Sequence, residues 1–69
     1  MTGPAEIRVR GRVFVADDCN VEAGVVTASG RWRRRTGANH SELRYGPVET
    51  CSWPICRVDR IRWLAAVAR

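Results

Sequence analysis

The sequence predicts an all-β fold: a small antiparallel barrel of four to five strands, ending in a short C-terminal tail or turn of helix. Three observations carry this. Apolar residues recur with a period of two over most of the chain, the signature of half-buried strands. Runs of β-branched and aromatic residues are separated by short Gly, Pro, Asp and Asn clusters. The chain has 69 residues, enough for one small domain, since domains run from about 50 to 250 residues.

The first strand is expected over residues 7–15, where Ile7, Val9, Val13 and Val15 alternate with Arg8, Arg10, Arg12 and Phe14. Gly11 falls on the apolar face, where a bend fits. Asp17-Asp18-Cys19-Asn20 supplies turn chemistry, because short polar side chains bond their own backbone. A second strand is expected over residues 21–28, apolar on both faces, with Gly24 permitting a curl. Ser29-Gly30 ends it, or residues 31–34 continue it as one arm of a hairpin. Residues 36–39 form a loop by composition. The third strand spans residues 43–53, interrupted by Gly46-Pro47 and stopped by Pro54. Residues 57–64 fit both periods; the alternation of Arg60 and Arg62 with Ile61 and Trp63 favours a strand through Leu64. Residues 65–69 have helix propensity but are too few to hold a helix alone.

Composition bounds the function. Hydrophobic residues are 45% of the chain and charged ones 28%, which places it with globular rather than disordered sequences. Twelve basic residues, all Arg, oppose seven acids to give +5, with a pI near 10.5. Every cation is therefore a planar fork suited to phosphate, carboxylate or an aromatic face. The charge is uneven: residues 17–30 sum to −3, and residues 31–44 to +4. The longest apolar run, residues 63–68, falls far short of the roughly 20 needed to cross a membrane. Met1 to Glu6 lacks the charged-then-apolar order of a secretory signal. A soluble protein of the cytoplasm, bacterial or that of a virus's host, is the expectation.

The succession of strand (residues 7–15), acidic turn, Gly24-containing strand (21–28), Arg-rich loop, strand (48–53) and closing segment Val58-Asp59-Arg60-Ile61 resembles SH3-like small barrels, including their KOW and Sm-like relatives. The resemblance covers most of the chain at the level of pattern. It implies a scaffold that docks RNA, DNA or protein through its loops. The aromatic set of the SH3 peptide groove is absent, so proline-peptide binding is not implied.

Arg31-Trp32-Arg33-Arg34-Arg35 is the strongest local feature. Guanidinium groups neutralise phosphates and release counterions, and an interleaved indole offers a face for a base. Arg8, Arg10, Arg12 and Arg44 extend the basic field. The bland alternative is a solvated hairpin whose Trp32 folds back on the barrel, with Arg8, Arg10 and Arg12 as a solubilising outer face. No recognition-helix pattern is present, so low sequence specificity is expected for RNA or DNA. A second expectation is a protein-interaction module, of accessory or phage type, that docks the Arg/Trp surface on an acidic partner. Self-association through an open barrel edge belongs with it.

Metal and catalytic chemistry have weaker footing. Cys19, His40, Cys51 and Cys56 are the candidate zinc ligands, but only Cys51 and Cys56 form a short pair. Buried small hydrophobes are the plainer reading of the cysteines. No glycine loop cradles a phosphate, and no motif completes a Cys–His nucleophile. No cofactor and no catalysis are expected. Phe14, Tyr45, Trp53 and Trp63 are expected to supply much of the buried area.

Overall fold

The computed structural model describes residues 1–36 and 42–64, with no description of the side chains of Arg35, Thr36 and Glu42. The fold is all-β. The chain runs β1 (Thr2–Val9), β2 (Arg12–Glu22), β3 (Val25–Thr36), β4 (Glu42–Tyr45), β5 (Glu49–Pro54), a one-turn 3-10 helix (Ile55–Arg57) and β6 (Arg60–Trp63). Every pairing is antiparallel, in the order β4-β3-β2-β1-β6, and β5 lies on β3 beyond β4. Six strands replace the expected four to five. The tail or turn of helix expected at residues 65–69 falls outside the described residues.

Two tight turns overturn the expected strand boundaries. Val9 pairs with Arg12, and Glu22 with Val25, so Arg10-Gly11 and Ala23-Gly24 are two-residue hairpin turns. All four central residues have positive φ: 52° and 77° in the first turn, 54° and 77° in the second. Left-handed residues at both centres match the twist of the flanking strands. The supposed single strand over residues 7–15 is thus one hairpin, and that over residues 21–28 is another. A two-residue turn pairs residue i with i+3 on one face, which inverts the odd–even phase. The buried residues run Ala5, Ile7, Val9, then Phe14 and Ala16. Val13 and Val15, expected in the core, lie half-buried on the outer face, and Phe14 takes their place inside.

The acidic stretch at residues 17–20 is not a turn but a bulge within β2. Ala16 opposes Gly30 and Asp18 opposes Ser29, leaving Asp17 as the extra residue. On the other side, Gly3 and Ala5 oppose Cys19 and Ala16, with Pro4 facing the bulge, where a missing N–H is tolerated. The extra residue shifts the phase again, so Cys19 continues the core after Ala16. Gly30 faces this kink: a Cβ there would land on the Val15 carbonyl and 2.7 Å from the Ala16 Cα. No side chain fits between those backbones. Residues 31–36 continue β3 and pair antiparallel with β4, the hairpin-arm alternative, and do not form the Arg-rich loop that the barrel resemblance implied.

The sheet coils around one core. The Ile55 N–H bonds the Gly24 carbonyl at 2.8 Å, and the Asp59 N–H bonds the Arg8 carbonyl at 2.8 Å. Four residues span at most about 14 Å, so the two ends of the β1–β2–β3 meander lie close. Along a straight β2 the same points would be roughly 30 Å apart. The 3-10 turn therefore bridges a strongly curved sheet and returns the chain to β1, where β6 pairs from Ala5–Trp63 to Arg8–Arg60. Ala5, Ile7, Val9, Phe14, Ala16, Cys19, Val26 and Ala28 are buried, and Val21, Trp32, Trp53, Val58, Ile61 and Trp63 pack on them. Tyr45, expected to be buried, is exposed. Phe14, Trp32 and Trp53 meet edge-to-face, with centroids 5.1, 5.5 and 5.9 Å apart, an arrangement worth about 0.5–1.5 kcal/mol per pair beyond area.

Candidate nucleic-acid interface

Strand alternation decides where the arginines go. In β3, Val26, Ala28, Gly30 and Trp32 point inward, so Arg31 and Arg33 point to the outer face. In β1 and β6 the inward residues are Ile7 and Ile61, which sends Arg8, Arg60 and Arg62 outward.

Register then assembles two rows across the outer face. One runs Tyr45, Arg33, Val13, Arg8, Arg60 over β4, β3, β2, β1 and β6. The next runs Arg31, Val15, Glu6, Arg62. Five arginines from three strands share these rows with one carboxylate, Glu6, leaving +4. Val13 and Val15 form a low apolar floor on which arginine stems can lie. Across it Arg33 reaches Glu6 at 3.8 Å, a long, partly exposed contact that leaves the guanidinium most of its donors. Two depressions share Arg8 and Val13: one of about 170 Å³, lined also by Glu6, Ile7, Arg60 and Arg62, and one of about 400 Å³, lined also by Gly11, Arg12 and Arg33. Asp17 stands at the margin, beside Val15, Arg31 and Tyr45.

The expected site residues divide between the two faces. Arg8, Arg31 and Arg33 are together on the outer one. Trp32 is on the inner one, half-buried, with the Arg12 guanidinium 4.1 Å above its ring centroid. The expected shared stripe of Arg8, Arg10 and Arg12 does not form, because Arg10 sits in a turn and Arg12 lies on the inner face beyond it. Arg34 and Arg44 are exposed, cross-strand neighbours on Trp32's side of β3. The side chain of Arg35 lies outside the described residues. Arg60 and Arg62 were missed as site residues. Their i, i+2 spacing signals a strand face, but pairing with β1 is what makes that face count.

Of the candidate metal set, Cys19 is in the core, Cys51 is half-buried and Cys56 is exposed on the 3-10 turn; His40 lies outside the described residues. Among the described residues no three His, Cys, Asp or Glu gather as a metal site. Burial raises the Cys19 thiol, with the Asp18 charge adding to it. Burial also raises Cys51, whose thiol donates to Glu49 Oε1 at 3.3 Å. Both stay protonated at neutral pH, poorly suited to nucleophilic attack. No helix among the described residues is long and apolar enough to cross a membrane.

Compared with protein-family models, curated proteins and solved structures, the chain finds no match.

Proposed function

We propose that this chain is a non-catalytic nucleic-acid-binding module on an SH3-like small barrel, gripping the phosphate backbone with its outer arginine face. One observation carries the reading: register brings Arg8, Arg31, Arg33, Arg60 and Arg62 into two adjacent rows relieved only by Glu6. Arg8 and Arg60 start from neighbouring strands about 4.8 Å apart, and Arg33 starts about 10 Å from Arg8 across β2, spans over which long side chains reach successive anionic groups of one polymer. Each neutralised phosphate releases counterions, and the rows offer no set of base-edge readers, so binding is strong at low salt and tolerant of sequence. The sharply coiled meander with its returning last strand supports the SH3-like reading, and the cytoplasm is the compartment we assign.

The test is fluorescence anisotropy with mixed-sequence oligonucleotides across salt. Four phosphate contacts give roughly a hundredfold loss of affinity between 50 and 200 mM salt. No binding at 20 mM salt would sink the proposal.

A second reading is favoured by Leu43, Tyr45 and Val48, large apolar residues exposed near the end of the arginine rows. Apolar and cationic groups side by side fit a protein interface, where an acidic partner or a second copy would dock along the open edge of β4 and β5. Capture of a defined acidic protein after nuclease treatment, with no oligonucleotide affinity, would select it.

A further inference from the structure

On the other side of the sheet the core opens into a pocket of about 290 Å³, lined by Val9, Arg10, Arg12, Trp32, Trp53 and Arg57. We infer that this pocket takes one unpaired nucleotide, its base against the indoles and its phosphate among the three guanidiniums. The inference rests on the nucleic-acid reading above and adds to it a preference for single strands.

The lining dictates the ligand's chemistry. Among the described residues Arg10, Arg12 and Arg57 line it and no carboxylate does, which suits an anion. Its walls include two half-buried indoles set 77° apart, which suits a flat ring lying on one and edge-on to the other. Arg12 lies 4.1 Å over the Trp32 ring and covers that face, so a base takes its place by displacing the guanidinium, which then turns to the phosphate. The volume sits at the small end of ligand pockets and matches one nucleotide better than a peptide segment. Arg12 also lines the outer depression with Arg8 and Arg33, so the basic track continues round the Arg10-Gly11 turn. A strand held by its phosphates on the outer face reaches the pocket along that track. A duplex must unpair and unstack a base before inserting it, which disfavours it against a single strand.

The test compares an eight-nucleotide oligo-dT with a duplex of the same length, by anisotropy and tryptophan fluorescence at low salt. Wild type binds the single strand about tenfold more tightly, the low end of one stacked base, and its tryptophan emission is quenched by the single strand alone. Because Trp53 also supports the core, the decisive variant changes exposed residues: Arg10→Gly with Arg57→Ala, the glycine keeping the turn's positive φ. In that variant single-strand affinity falls towards the duplex value and the quenching is lost. Equal wild-type affinity for the two forms, or equal losses on both in the variant, overturns the pocket while leaving the outer face intact. Quenching by an acidic tyrosine-containing peptide but not by oligo-dT also overturns it. Absence of binding to either nucleic acid removes the parent proposal and this one with it.

Discussion

The two halves of β3 are built from one backbone and do different work. From Val25 to Gly30 its inner side chains are Val26 and Ala28, completely buried, and its outer ones are Thr27 and Ser29, the latter hydroxyl-bonded to Thr50 at 2.9 Å. From Arg31 onward the inner side carries Trp32 at the rim of the core, and the outer side carries Arg31 and Arg33. The first half pairs with β2 and β5 and closes the core; the second pairs with β2 and β4 and presents charge. Gly30 marks the boundary, held against the β2 backbone at the bulge. The four consecutive residues Arg31 to Arg34 are thus divided by the pleat, and proximity in sequence is a poor guide to a shared surface.

This contrast can be broken most severely at its core end. Phe14→Ala removes the ring on which both Trp32 and Trp53 rest, and is expected to lower stability by about 3–5 kcal/mol, leaving a chain this small largely unfolded by circular dichroism. Gly30→Ala forces a Cβ into backbone and is expected to lower the urea midpoint by an amount equivalent to about 1–3 kcal/mol. A value near zero would show that β2 and β3 separate freely at the bulge.

The cationic half is sharpened by Val15→Glu, which sets a second carboxylate between Arg31 and Glu6. It should cut oligonucleotide affinity several-fold at low salt while shifting stability by no more than about 1 kcal/mol. Alkaline pH probes the core again. The raised thiols of Cys19 and Cys51 hold their protons in the fold longer than in the unfolded chain. Their contribution is complete below the ordinary thiol value of about 8.5 and is lost as pH rises through the folded values. The urea midpoint should therefore fall more between pH 7 and pH 10 in wild type than in Cys19→Ala. The smallest effect is expected at a turn: Ala23→Asn suits φ 54° better and should raise stability by about 0.5–1 kcal/mol.

The all-β class was readable because alternation survives wherever one face is buried. The Gly46-Pro47 break and the strand character of residues 60–63 were readable for the same reason. The hairpins were not, because Arg10-Gly11 and Ala23-Gly24 lack the Asn or Asp that announces a two-residue turn. Ile7, Val9, Val13 and Val15 keep period two straight through the first turn while the faces swap beneath it. The bulge at Asp17 was hidden similarly, since its polar residues suit a turn equally well. Of the site, Arg8, Arg31 and Arg33 were named from charge alone. Arg60 and Arg62 needed the β1–β6 register, a long-range fact with no local signature.

The division of arginines by face is tested most directly by two double variants of equal charge. Arg31→Ala with Arg33→Ala clears two forks from the outer rows, and Arg34→Ala with Arg44→Ala clears two from the opposite side. Measured by the salt dependence of duplex affinity, the first pair should lower the slope by close to two phosphate contacts and the second should leave it nearly unchanged. Equal slopes from the two variants would contradict the account, because binding would then follow net charge and not the face that the pleat defines.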